Sequence, residues 1–322
     1  MRLLRPGAYL PTVRGLAHNA LRREAVHPFY ASFKITSRCH FGCPFCNMRG
    51  VRMPDRSTEA IKEVLDNLSR SSVLMTSFEG GEPLLREDIG ELLAYARTKS
   101  FYLLFTTSVR DPEAYPLDEY ARSIDFLHVS IDEGHGNLDM FDKLPGLCAL
   151  PTQVSVQTVV TRDTVDALDG KVRRCHEAGA NIVIIPASPM DGAEDCFPDI
   201  PSLARKVREL RRRYPRTIHT PRRYFDAYEQ HRCSPASIII APDCRIYYPC
   251  HILGTKGPDL SETDLRTWLQ TDDARRMRAT MRACTRNCGW YQYYSIESYV
   301  SPGTAWESLA PMVFQKRRRG RA

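Results

Sequence analysis

Three cysteines crowd into eight residues, Cys39-His-Phe-Gly-Cys43-Pro-Phe-Cys46, and five more fall between positions 233 and 288. Thiolates this close in sequence can fold around one metal centre. A structural zinc site normally takes four ligands, and no fourth cysteine lies near the first group. Three thiolates on a four-iron cube leave one iron open, and an open iron can be chelated by a small molecule. That feature turns an electron carrier into a catalyst. His40 is the neighbouring side chain that could close the corner; a loop histidine pointing elsewhere leaves it open. Cys148, Cys175 and Cys196 are scattered and read as small core hydrophobes.

These residues need a scaffold, and the sequence supplies a repeating one. Candidate strands are Ser32–Thr36, Val73–Phe78, Tyr102–Thr106, Phe126–Ser130, Gln153–Val160 and Ile182–Pro186. Helical stretches lie between them near 58–70, 85–99, 112–123, 139–149 and 164–178, with another at 202–214. Several strands are nearly continuous apolar runs, as expected for a parallel sheet covered by helices. Six strand–helix repeats predict an α/β arrangement whose chemistry gathers at the carboxyl ends of the strands. The polar residues agree. The cysteine triad follows the first strand, Glu79 to Glu82 the second, and Thr106, Thr107 and Ser108 the third; Ser130 and Asp132 end the fourth.

The flanks differ from this core. Leu10, Val13, Leu16, Ala17, Ala20 and Leu21 recur at helical spacing between arginines. Such a helix caps a barrel or lies on a membrane surface. After Pro215 come five cysteines, many aromatics and one helix expected around Asp264–Met281. Too little periodic apolar sequence remains there for an independent core, which predicts a small metal-stapled subdomain.

A length of 322 residues accommodates one large domain plus a small appendage. No apolar run is long enough for a membrane span, and no secretory signal opens the chain, so the cytoplasm is the expected location. The formal charge of +7 is concentrated in Arg2 to Arg23, Arg205 to Arg223 and Lys316 to Arg321. These stretches read as solvated faces, or as attraction to a phosphorylated substrate, an acidic peptide or an anionic membrane. No specific nucleic-acid partner is expected.

Cys-x3-Cys-x2-Cys after a first strand, with aromatic Phe45 before the third cysteine, resembles the signature of the radical S-adenosylmethionine (SAM) superfamily. Glu79-Gly80-Gly81-Glu82-Pro83 resembles that superfamily's Gly-Gly-Glu-Pro motif. The resemblance implies a partial (β/α)6 TIM-type barrel with a small C-terminal iron–sulfur subdomain. It also implies a [4Fe–4S] cluster on Cys39, Cys43 and Cys46, with SAM on the open iron. Reductive cleavage would then give a 5′-deoxyadenosyl radical that abstracts hydrogen from substrate. By the same resemblance Phe45, Gly80, Gly81, Glu82, Thr107, Ser108, Ser130 and Asp132 hold the cofactor. Gly80 and Gly81 would let backbone approach its amine, and Glu82 would accept a hydrogen bond from that amine. Thr106-Thr107-Ser108 departs from the more usual Thr-Asn-Gly-like run.

The stretch Ala241-Pro242-Asp243-Cys244 through Pro249-Cys250 resembles the hairpin of SPASM and Twitch extensions, and Cys284-x3-Cys288 their closing pair. That implies a second, auxiliary [4Fe–4S] cluster on Cys233, Cys250, Cys284 and Cys288; a zinc knuckle is the structural alternative. Cys244 stands where the motif has glycine and reads as a ligand, a bystander or a hydrogen donor. The implied organisation is an N-terminal amphipathic extension (1–30), a radical SAM core (31–215), an auxiliary-cluster domain (216–300) and a tail (301–322). The expected reaction is oxidation or epimerisation of a small molecule: a sugar, aminocyclitol, nucleotide-like or lipid-linked metabolite. The expected electron donor is a flavodoxin or ferredoxin. The alternatives are a maturase acting on a ribosomal peptide and a non-catalytic iron–sulfur protein.

Overall fold

The computed structural model describes residues 6–46, 48–188, 194–221, 223–226, 235–248, 250, 252–253, 255–285 and 303. Its first helix, α1 (Pro6–Arg22), leads into alternating strands and helices: β1 (Tyr30–Thr36), α2 (Thr58–Ser69), β2 (Met75–Gly80), α3 (Ile89–Arg97) and β3 (Tyr102–Thr107). The alternation continues with α4 (Leu117–Tyr120), β4 (Phe126–Ser130), α5 (Met140–Cys148), β5 (Gln153–Val160), α6 (Leu168–Glu177), β6 (Asn181–Pro186) and α7 (Ile200–Arg213). All six strands pair in parallel with their sequence neighbours. The α/β, partial-barrel expectation holds.

Strand alternation sets what each face does. Phe33, Phe78, Phe105, Leu127, Val156 and Ile184 point outward and pack with Leu65, Leu92, Leu144, Val172 and Leu203 of the covering helices in one core. Full burial of each such side chain contributes roughly 1.5–3 kcal/mol. The alternate residues point into the barrel, and many are polar. Helix starts are fixed locally: Ser57 accepts a hydrogen bond from the Ala60 N–H, and Asp199 one from the Ser202 N–H.

Two strand ends differ from expectation. β2 begins two residues late and runs through Gly80, so Glu79 is a strand residue facing the barrel, not part of the following loop. β3 includes Thr107. The stretch near 112–123 shortens to the four-residue α4.

The C-terminal region continues the main sheet. After α8 (Arg223–Asp226), β7 (Ser237–Ile240) pairs in parallel with β1, and β8 (Arg245–Tyr247) and β9 (Lys256–Asp259) extend the same sheet antiparallel. The strand order is β6-β5-β4-β3-β2-β1-β7-β8-β9. Ile238, Ile240, Ile246, Tyr248, Leu260 and Trp268 belong to the main core, so the described part of this region shares that core. Buried Asn67 of α2 fastens it, donating to the Leu260 and Thr263 carbonyls and accepting from the Leu265 N–H. The single helix expected at 264–281 is two, α9 (Leu265–Trp268) and α10 (Asp272–Arg282), because Thr271 caps a new start through the Ala274 N–H.

α1 seals the amino end of the barrel. Its Tyr9 hydroxyl lies 2.7 Å from that of Tyr102 on β3, and Thr12 donates to the Ser72 carbonyl. This supports the barrel-cap reading of the helix. Among the described residues no helix is long and apolar enough to cross a membrane.

Candidate active site

The cysteine loop leaves β1 where that strand and β2 converge. The Gly81 N–H donates to the Thr36 carbonyl and the Glu82 N–H to the Arg38 carbonyl, at 2.9 and 2.7 Å. A Cβ on Gly80 would sit 2.3 Å from the Thr36 oxygen, and one on Gly81 1.9 Å from the Arg38 oxygen. Gly80 also has φ +139, a backbone conformation that glycine favours. The two glycines are therefore required first by this chain crossing. The far side of the loop is stitched by Asp55, which accepts from Thr36 and pairs with Arg38, and by Ser37, which bonds both backbone groups of Met53.

Cys39, Cys43 and Cys46 all line one cavity of about 970 Å³ that extends through the barrel to α1. Burial pushes the Cys43 thiol up to about 12, reinforced by Cys46, Asp132 and Cys39; burial raises Cys39 as well. Metal binding must displace those protons. Among the described residues no three His, Cys, Asp or Glu side chains gather around one ion-sized point. Three cysteines on one loop bordering one cavity are the donor type and number that a three-ligated iron–sulfur cluster takes. His40 is exposed, in ring contact with Phe41, and is not among the residues lining the cavity.

Phe41 and Phe45 clamp the cysteine loop against the segment after β4. Both rings meet His135 edge-on, at 5.5 and 5.8 Å between centroids. A Cβ on Gly134 would come within 2.1 Å of the Phe45 ring. Asp132 holds His135 in place by accepting from its backbone N–H and bonding its Nδ1, and also accepts from the Val159 N–H. Asp132 is fully buried and absent from the cavity wall, and its visible role is to position the clamp.

Glu82 is placed in a similar way. Its carboxylate is fully buried behind the wall, accepting from the Leu84 and Ser108 N–H groups and from the Thr107 and Ser108 hydroxyls. Burial raises its pKa against the lowering effect of those bonds. It ties the end of β2 to the end of β3 and is not among the residues lining the cavity. Phe45, Gly80, Gly81, Thr107, Ser108 and Ser130 do line the cavity. Cys244 does not. It lies fully buried in the main core at φ +64, its thiol pushed by burial to about 12. Cys250 is buried beside Ile239 and Leu253, and Leu253 also packs on Met281, whose carbonyl accepts from the Cys284 N–H. Cys233 and Cys288 lie outside the described residues.

Sequence reading missed the barrel interior. Glu79 accepts from the Tyr30 hydroxyl at 2.9 Å and from the Ser32 hydroxyl at 2.8 Å. His128, Gln157 and His219 line the same cavity. Asn137 was also missed; it ties the Ser108 and Ser130 carbonyls together beneath the rim. The available signal was polar residues at every second position of otherwise apolar strands: Ser32 and Lys34, Ser77 and Glu79, His128 and Ser130, Ser155 and Gln157.

Residues 33–195 match the Radical SAM superfamily. The chain belongs to the radical SAM superfamily. Its cofactors are accordingly SAM and a [4Fe–4S] cluster. Among curated proteins this radical SAM chain is 30% identical to mycofactocin maturase MftC of Mycolicibacterium smegmatis, over 57% of this chain and 50% of that protein. It is 30% identical to the PqqA peptide cyclase of Xanthomonas oryzae, over 33% of this chain and 30% of that one. The chain thus spans half or less of the length of the curated relatives it matches. Among solved structures, SuiB of Streptococcus suis bound to precursor peptide SuiA superposes with a TM-score of 0.66 at 15% identity, covering 90% of this chain and 77% of that one. That likeness shows the fold.

Proposed function

We propose that this chain is a radical SAM enzyme that modifies a peptide side chain. The observation that carries the reading is one continuous cavity joining the three cysteines at the rim to a mostly apolar barrel interior in which Glu79, His128, Gln157 and His219 are set. At about 970 Å³ it lies at the upper end of the range for small-ligand pockets, which suits a cofactor together with an inserted side chain. The names of the curated relatives, a maturase and a peptide cyclase, favour a peptide over the small metabolite expected from sequence.

In this reading Cys39, Cys43 and Cys46 hold the cluster, and the wall formed by Gly80, Gly81, Thr107, Ser108 and Ser130 holds SAM. The bound pair supplies one-electron cleavage of a sulfonium and hydrogen abstraction from an unactivated carbon. The protein's own contribution is positional. Phe41, Phe45 and His135 keep the cysteine loop fixed, Glu82 and Asn137 set the spacing of the strand ends, and α1 closes the far end against water. Cys250 and Cys284, with Cys233 and Cys288, are the ligand set proposed for an auxiliary cluster, and a flavodoxin or ferredoxin is the proposed reductant.

The test uses extract from cells grown in deuterated medium, divided into peptide and metabolite fractions. Reduced, reconstituted enzyme and unlabelled SAM are added to each fraction, and deuterium in 5′-deoxyadenosine is read by mass spectrometry. The expected result is transfer from the peptide fraction. Transfer confined to the metabolite fraction would replace this reading with the small-molecule one.

A further inference from the structure

The barrel interior holds a carboxylate, Glu79, that forms no ion pair with a cation among the described residues. Glu79 lines the cavity with both oxygens engaged by neutral hydroxyls, those of Tyr30 and Ser32. Among the described residues it forms no ion pair. Lys34, in register with it on β1, has none with it, because the Glu79 carboxylate turns toward the earlier residues Tyr30 and Ser32. A carboxylate in a largely apolar enclosure is costly until a counter-charge arrives.

A second, independent observation lies further round the barrel. The segment following α7 runs beside β6, with the His219 N–H donating to the Ile182 carbonyl. His219 lines the cavity, and its Nε2 is shielded from solvent with no hydrogen-bond partner among the described residues. Burial pushes this imidazole down to about 3, and His128, hydrogen-bonded to Gln157, is lowered by burial too. Both rings are therefore neutral at physiological pH and available as acceptors. The barrel thus presents the Glu79 carboxylate, the hydrogen-bonded pair His128 and Gln157, and the unfilled Nε2 of His219, and among the described residues no cation is ion-paired with Glu79.

We infer that Glu79, with His128, Gln157 and His219, forms an anchoring subsite for a cationic nitrogen group that carries several N–H donors. This rests on the peptide reading and deepens it: the group is the side chain of a lysine or arginine of the substrate peptide. Such a side chain reaches down a narrow barrel on its methylene stem and delivers charge and donors only at its tip. The charged sulfonium of SAM is the other source of positive charge, and the experiment separates the two.

Reconstituted holoenzyme with SAM is titrated into three fluorescein-labelled peptide pools whose fixed central residue is lysine or arginine, norleucine, or glutamate. Wild-type enzyme is expected to bind the cationic pool most tightly, a result that needs no variant to fold. Glu79→Gln, checked for iron content and melting temperature, should weaken the cationic pool by about thirtyfold or more and leave the norleucine pool unchanged. His219→Leu should act in the same direction with a smaller effect. Equal affinity for cationic and norleucine pools in the wild type overturns the subsite while the peptide reading stands. Equal weakening of all pools in Glu79→Gln also overturns it. So does a selective loss of affinity for SAM over S-adenosylhomocysteine in that variant with pool preference intact, because the carboxylate then serves the sulfonium. If no pool binds, the peptide reading falls; n-hexylammonium binding without n-hexanol binding then sustains the anchor, and binding of neither ends it.

Discussion

The two cysteine regions of this chain are held by opposite means. Cys39, Cys43 and Cys46 sit on a loop with no regular structure of its own, fixed by contacts from several neighbours: a β2 crossing at Gly81, the Asp55 pair, and the Phe41–Phe45–His135 clamp. All three thiols face the cavity. Cys244 sits in a tight turn between two strands of the extended sheet and points into the apolar core. The first region borders the cavity with all three cysteines, held by the structure around them, whereas Cys244 of the second is an ordinary core side chain. Cysteine density in sequence therefore does not by itself identify a ligand; the face of the sheet on which the thiol emerges does.

The sharpest way to break this contrast is Cys43→Ala. Loss of one corner ligand should abolish 5′-deoxyadenosine formation, read by chromatography, while about four irons remain at a C-terminal cluster. Retained cleavage would remove the cysteine loop from the chemistry. Next in size is Gly81→Ala, whose new methyl meets backbone that cannot swing aside. The variant should lose iron from the amino-terminal site and about 1–3 kcal/mol of stability in chemical unfolding. An unchanged iron content would show that the crossing is not what fixes the loop. The smallest effect is expected at Cys244→Ala, with iron retained and stability lowered by roughly 1 kcal/mol.

Cys244 also makes a pH prediction. Its folded thiol is raised to about 12, above the ordinary thiol range, and the protonated form is the one the core accommodates. Its contribution is complete below the unfolded thiol value and is lost as pH rises from there through about 12. Unfolding measured from neutral pH to about pH 11 should show a decline at the alkaline end that is shallower in Cys244→Ala. An identical slope in both proteins would mean that the thiol is not buried in its neutral form.

Much of the barrel was legible because its strands are apolar runs separated by helical periodicity, a signal confined to neighbouring residues. Five of the six expected strands end within a residue of their observed limits; the exception, β2, carries Glu79 and Gly80 beyond the expected end. The cysteine loop and the glycine pair were legible as motifs. Glu82 and Asp132 were located along the chain, but their hydrogen-bond partners were not legible, because just past a strand end the local pattern no longer fixes which way a side chain points. β7 escaped notice because a four-residue apolar run among turns carries no period that separates strand from loop.

By itself the amino-acid sequence determined which local elements form and which three thiols lie close enough along the chain to share one cluster, since both depend on residues a few positions apart. Only the tertiary structure decided that β7 joins β1, that Cys244 is core, and that Glu79, His128, Gln157 and His219 meet inside one barrel. Those residues are separated by up to 140 positions, and their meeting depends on strand pairing and register, which no local pattern encodes.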